Sequence, residues 1–287
     1  MMSPLLSLQD ANAQLQQGAI YPIWTRMADI STGQLPPLPA YRIGHAPVMD
    51  FEKTFADPDS ELPHTLPTYQ RFYHHLKQLE LPANVPLLVY DYQGMRFAPR
   101  AWWMFCSMGY QIRLLNGDFN AWFDAGLPVT PLDDSTTVKQ DQPSVAPCWA
   151  LPDTKRLPQY WADKHDVLIA LDDPNIVIID ARSQARYLAQ VPEPRPGMQR
   201  GHIPGALNIP FDSLLNSHGM ADKKVLEARF ASLGIGQDQA LIVYCGSGVT
   251  ACVVALAARV CGFSRVRVYD GSWSEWGKEG SGLPISR

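Results

Sequence analysis

Tyr244-Cys245-Gly246-Ser247-Gly248-Val249-Thr250-Ala251 is the stretch on which the reading of this chain turns. The residues before it, Leu241-Ile242-Val243-Tyr244, are apolar, β-branched and few, as in a buried strand. Those after it, Ala251-Cys252-Val253-Val254-Ala255-Leu256-Ala257-Ala258-Arg259, are small and suited to a helix. A cysteine thus ends a strand, and a helix begins a tight turn later. Gly246 and Gly248 let the backbone bend until successive N–H groups face inward. Such a nest at a helix N-terminus favours negative charge, and Cys245 placed there is expected to be a competent nucleophile. The anion held can equally be the outer sulfur of a persulfide.

The same landmarks occur twice. Val89-Tyr90-Asp91-Tyr92-Gln93-Gly94 echoes Val243-Tyr244-Cys245-Gly246-Ser247-Gly248, with Asp91 lying 154 residues before Cys245. Gly117 and Trp122 precede Gly271 and Trp276 by the same 154 residues. Gly44-His45-Ala46-Pro47 echoes Gly201-His202-Ile203-Pro204 at 157, and each half closes on a Leu-Pro, Leu127-Pro128 and Leu283-Pro284. Landmarks repeated in one order at so long a period mean a duplicated domain rather than a solenoid. The boundaries expected are 1–131 for the first copy, 132–158 for a polar, proline-bearing linker and 159–287 for the second copy.

Each copy reads as α/β. In the second, Ile176 to Asp180, Leu241 to Tyr244 and Val266 to Tyr269 are strands, and Val225 to Leu233 is a helix closed by Gly234. In the first, Leu87 to Tyr90 and Ile112 to Leu115 are strands around a helical segment at Arg100 to Phe105. Alternation of this kind implies a parallel sheet flanked by helices, with functional residues at the strand C-terminal ends. Ile20-Tyr21-Pro22-Ile23-Trp24 is the candidate first strand. Val191-Pro192-Glu193-Pro194-Arg195-Pro196-Gly197 holds three prolines in five residues and can be neither helix nor inner strand.

Composition narrows the class. A chain of 287 residues with 46% hydrophobic and 18% charged residues fills two ordinary cores. A net charge of −4 offers no nucleic-acid surface. No apolar run approaches the roughly 20 residues that span a bilayer, and the N-terminus lacks a basic, then apolar, leader pattern. Five cysteines, odd in number and without a CxxC pair, point to a reducing cytoplasm and to neither a disulfide framework nor a metal site. The seven histidines show no metal spacing either.

Cys245-Gly246-Ser247-Gly248-Val249-Thr250-Ala251 resembles the active-site loop of the rhodanese superfamily, and its Gly246-Ser247 pair resembles the 3-mercaptopyruvate sulfurtransferase branch. Thiosulfate sulfurtransferases usually carry an Arg-Lys pair there. Asp180-Ala181-Arg182, Arg186, Pro192-Glu193-Pro194-Arg195 and Gly201-His202-Ile203-Pro204-Gly205 also fit that pattern, with Ala185 where the family usually has glycine. The resemblance implies two tandem rhodanese-like domains, the N-terminal one inactive because Asp91 replaces the cysteine, the C-terminal one catalytic. It implies transfer of sulfane sulfur from 3-mercaptopyruvate to a thiol such as thioredoxin or glutathione, or to cyanide, through a Cys245 persulfide, with pyruvate released and no metal or organic cofactor. Arg186 and Arg195 then bind the donor carboxylate, a task suited to guanidinium groups. Gly246, Gly248, Val249 and Thr250 form the binding loop, with Thr250 also expected to cap the helix. Ser247 donates to the substrate or relays a proton, and His45 is the expected partner in that relay. Arg182, His202 and Trp276 are expected to be structural, and Trp273 to wall the pocket.

Two other readings compete. A thiosulfate sulfurtransferase would use the same chemistry on a smaller dianion, and a non-catalytic rhodanese-like interaction protein would use none. A phosphatase of the related fold needs Cys-x5-Arg, and the position in question is Ala251.

Overall fold

The computed structural model describes residues 3–29, 33–51, 54–82, 85–132, 158–217 and 219–287. The expected linker falls almost wholly outside these, as does Cys148. The described residues fall into two compact units. One draws on Met1–Ala56, Pro67–Arg156 and Ser217–Gly219, the other on Asp57–Leu66, Leu157–Asn216 and Met220–Arg287. Ten residues from the first half of the sequence, 57–66, thus belong to the second unit.

Each unit is built on a five-stranded sheet. In the first the order is Leu5–Leu6, Ile112–Leu115, Leu87–Tyr90, Tyr21–Arg26, Val48–Asp50. In the second it is Leu207–Asn208, Ile176–Asp180, Ala240–Tyr244, Val266–Tyr269, Trp161–Ala162. The described pairings within both sheets are parallel. The central strands, buried on both faces, are the continuous apolar runs that the sequence showed.

Pro22 lies inside an inner strand, which its missing N–H would ordinarily forbid. Tyr21 N–H donates to Pro86 O at 2.9 Å and Trp24 N–H to Pro47 O at 3.1 Å, on opposite sides. Pro22 therefore turns its nitrogen toward the short strand Val48–Asp50, which starts only opposite Trp24. No hydrogen bond is forfeited.

The two units repeat one another in detail. Trp122 and Trp276 donate their indole N–H to Pro128 O and Pro284 O, so each copy closes on its Leu-Pro. Phe119 N–H donates to Asp91 O and Trp273 N–H to Cys245 O. Gly94 and Gly248, equivalent in both loops, have φ of 69° and 76°, a left-handed backbone natural to glycine.

One register differs from the sequence reading. The buried Tyr90 hydroxyl accepts from Ile43 N–H at 3.0 Å, and the buried Tyr244 hydroxyl accepts from Ile203 N–H at 3.1 Å. Ala46 N–H then returns to Ile43 O as Ala206 N–H does to Ile203 O. Ile43 is therefore the counterpart of Ile203, three residues away from the register in which His45 matches His202. Arg42 is the counterpart of His202, and His45 that of Gly205. A two-residue Gly-His match is too short to fix register: Gly44 falls opposite Pro204, and the glycine of the other copy, Gly205, falls opposite His45.

Candidate active site

The Cys245 loop is held from behind. Cys245 O accepts from Trp273 N–H at 3.0 Å, and Gly246 O accepts from Ser274 N–H at 2.9 Å and from the Ser274 hydroxyl at 2.6 Å. Both acceptors face the start of helix Ser272–Trp276. In a trans peptide the N–H opposes the C=O. The N–H groups of Gly246 and Ser247 are therefore turned away from that helix, as the nest requires. Cys245 N–H donates to Ser272 Oγ at 3.2 Å, and Ser272 Oγ to Tyr269 O at 2.7 Å. Helix Ala251–Cys261 starts directly after the loop and ends on Gly262 at φ 97°. Thr250 occupies its N-cap position, but its backbone is already helical and its side chain makes no capping bond. Val249, within the loop, is buried.

Cys245 is only 2% exposed, and Ser247 8%. Cys252 and Cys261 are buried as well. Cys252 donates its thiol to Gly248 O at 3.4 Å, and burial beside the Glu227 carboxylate pushes Cys261 up to about 11.

Arg186 and Arg195 converge on the loop. A Cβ built at Gly246 would lie 3.2 Å from Arg186 Nη2 and 3.8 Å from Arg195 Nη1. Both line a small cavity together with Glu193, Pro194, Met198, Gly246, Trp273 and Ser274. Trp273 thus walls the pocket as expected, while Trp276 lies in the core. Ala185 sits within helix Gln184–Tyr187, without the positive φ that would demand glycine.

Arg182 anchors this arrangement from below. Its guanidinium, wholly buried, donates to Asp180 from Nε and Nη2, to Gly201 O from Nη2 at 2.7 Å and to Glu193 from Nη1 at 2.8 Å, and it lies 4.2 Å over the Trp273 ring. Burial opposes its charge, but Asp180 first and Glu193 after it outweigh that cost and hold its proton more firmly than in a free arginine. His202 is structural: Nδ1 lies 2.9 Å from Tyr187 O and the ring stacks on Tyr187.

The sequence did not reveal the partner of Ser247. His64 Nδ1 stands 3.0 Å from Ser247 Oγ. Its loop is closed by Asp57 N–H to Thr65 O at 2.9 Å and tied down by Leu66 N–H to Asp270 Oδ2, also 2.9 Å. His45 belongs to the other unit, where its carbonyl accepts from the Tyr21 hydroxyl. The one signal in the sequence is the flanking pattern Leu62-Pro63-His64-Thr65-Leu66-Pro67, two prolines stiffening a histidine-bearing turn.

Among the described residues no cluster of His, Cys, Asp or Glu suits a metal ion, and no helix is long and apolar enough to cross a membrane.

The rhodanese-like domain family matches residues 53–125 and again 163–279. The chain is 37% identical to 3-mercaptopyruvate sulfurtransferase of Escherichia coli over 249 residues, covering 85% of this chain and 84% of that one. It is 36% identical to thiosulfate sulfurtransferase of Cricetulus griseus over 243 residues, 82% of this chain and 78% of the relative. The crystal structure of SseA from Escherichia coli, a 3-mercaptopyruvate-acting enzyme by its description, superposes with a TM-score of 0.78 at 32% identity over 96% of this chain and all of that one. With a family domain in each half and the Cys245 loop following the central strand of the second sheet, the chain belongs to the rhodanese-like family as a tandem-domain member similar to the 3-mercaptopyruvate sulfurtransferases.

Proposed function

We propose that this chain is a sulfurtransferase that takes sulfur from 3-mercaptopyruvate onto Cys245 and passes it on from a persulfide. The observation that carries this reading lies in the copy without a cysteine. Asp91 occupies the position of Cys245, and its carboxylate, fully buried, accepts four backbone N–H bonds: from Gln93 and Met95 at 3.0 Å, and from Phe97 and Ala98 at 2.9 Å. A carboxylate oxygen is the second atom beyond Cβ. So is the outer sulfur of a cysteine persulfide. The loop that cradles a carboxylate in one unit has the backbone to cradle a transient anion in the other.

The donor carboxylate and ketone face Arg186 and Arg195. The Cys245 thiolate attacks the donor sulfur, forming an S–S bond as the C–S bond breaks. The electron pair of that C–S bond leaves as the enolate of pyruvate. The proton given up by the donor thiol is matched by the one taken up at the enolate carbon, and Ser247 with His64 forms the path between them. A thiol, such as that of glutathione or thioredoxin, or cyanide, then attacks the outer sulfur and restores the Cys245 thiolate.

The test is steady-state transfer to cyanide from 3-mercaptopyruvate and from thiosulfate, with Cys245→Ser alongside. Preference for mercaptopyruvate, lost in the variant, with one added sulfur on Cys245 by mass spectrometry, supports the reading. Preference for thiosulfate, the donor in the name of the Cricetulus griseus relative, replaces it with that activity. Turnover of neither by folded protein ends it.

A further inference from the structure

Glu193 stands in the proline-stiffened stretch between Val191 and Gly197, and its side chain is 3% exposed. It faces two guanidinium groups. Oε1 accepts from Arg182 Nη1 at 2.8 Å, both oxygens accept from Arg186 Nε at 3.2 Å, and Arg186 Nη2 closes on Oε2. Charge therefore alternates from the sheet to the cavity: Asp180, Arg182, Glu193, Arg186.

For plain anion capture this is a poor arrangement. Glu193 takes the Nε–Nη2 edge of Arg186, one of the two edges by which a guanidinium grips a carboxylate in bidentate fashion. What remains is the Nη1–Nη2 edge, with Nη2 3.2 Å and Nη1 3.8 Å from where a Cβ on Gly246 would stand. Asp180 already matches Arg182 with two close bonds, so Arg182 gives no reason for a second carboxylate. The charged side chains lining the cavity are Arg186, Arg195 and Glu193, a balance of plus one.

We infer that Glu193 is a specificity-determining residue: by cancelling one of the two cations over the Cys245 loop it matches the site to a donor bearing a single negative charge and disfavours small dianions. The inference rests on the sulfurtransferase reading above. It names the donor class as a mercapto-oxo acid in its thiol form, a monoanion, against thiosulfate, a dianion.

Glu193→Gln tests it, because it keeps shape and one acceptor oxygen while moving the balance to plus two. With cyanide as acceptor, kcat/KM for thiosulfate relative to mercaptopyruvate should rise about tenfold, chiefly through KM, the scale of one partly screened unit charge a few ångströms away. Glu193→Asp, which keeps the charge, should keep the wild-type ratio. A second readout needs no turnover: the rate of Cys245 alkylation by iodoacetate, an anion, against iodoacetamide, its neutral counterpart. That ratio should rise several-fold in Glu193→Gln and fall in Arg195→Gln, which takes the balance to zero.

If Glu193→Gln lowers both donors in proportion and leaves the alkylation ratio unmoved, Glu193 only braces Arg186 and the inference is overturned. If the wild type turns over neither donor, the sulfurtransferase reading fails, and the alkylation ratios still decide whether Glu193 sets the charge of the site.

Discussion

Replacing Asp91 by alanine removes the acceptor of four backbone N–H groups at the start of helix Ala98–Ser107. The site is fully buried, so water cannot take the carboxylate's place without opening the loop. A buried donor left unsatisfied costs about 1–3 kcal/mol, and four of them set a gross loss of ~4–12 kcal/mol. Against this stands relief from holding a charge out of water. Burial raises the Asp91 carboxyl above its ordinary value even though the Ala98, Phe97 and Gln93 N–H groups pull the other way. The net loss expected is about 3–6 kcal/mol, a large part of the roughly 5–15 kcal/mol that a domain has. Urea unfolding reads the total, and amide hydrogen exchange at Met95, Phe97 and Ala98 reads it locally. The pH dependence has a definite sign. A carboxyl whose folded value is raised binds more protons folded than unfolded, so stability contributed there falls as pH rises from the ordinary carboxyl value through the raised one. Asp91→Asn should abolish that share of the slope while losing one acceptor oxygen and the two N–H bonds it accepts. An Asp91→Ala protein within about 1 kcal/mol of wild type, with those amides still protected, would refute the cradle and remove the main support for the persulfide reading.

Two further outcomes follow from the site. His64→Gln keeps a hydrogen-bonding group near Ser247 but cannot carry the proton, so kcat with mercaptopyruvate should fall about 100-fold. Thiosulfate turnover, which protonates no carbon, should be spared, and equal losses on both donors would make His64 a brace. Arg182→Met leaves Asp180 and Glu193 buried without their shared cation, and thermal or urea unfolding should show a loss of about 3–5 kcal/mol. Unchanged stability would mean that the two carboxylates find other partners.

Legibility followed chain distance. The Cys245 loop and its strand and helix are one contiguous stretch, and sequence alone placed them. The 154-residue repeat carried the reading into the first copy because Asp91 and Trp122 are tied to their copy by the same bonds as Cys245 and Trp276. The Gly-His match failed because nothing local distinguishes its two possible registers. The Tyr90 and Tyr244 hydroxyls that settle it lie 47 and 41 residues away. Glu193 was visible as part of a motif but not as the partner of two arginines, since which side chains meet across a proline-rich loop is decided in three dimensions. The two prolines around His64 mark a stiff turn but not its partner, because that ten-residue segment belongs to the unit formed by the far half of the chain.

That displaced segment has a consequence for synthesis. His64 precedes Ser247 by 183 residues. At about 5–20 residues per second, the loop emerges from the ribosome on the order of ten to forty seconds before the strand and turn that receive it. The first unit has most of its own chain in hand during that interval, and the loop must stay outside its packing until the second sheet exists. The second half made alone, without residues 57–66, would fold around a gap at Ser247, so the evident cut between the repeats is the wrong place to divide this protein.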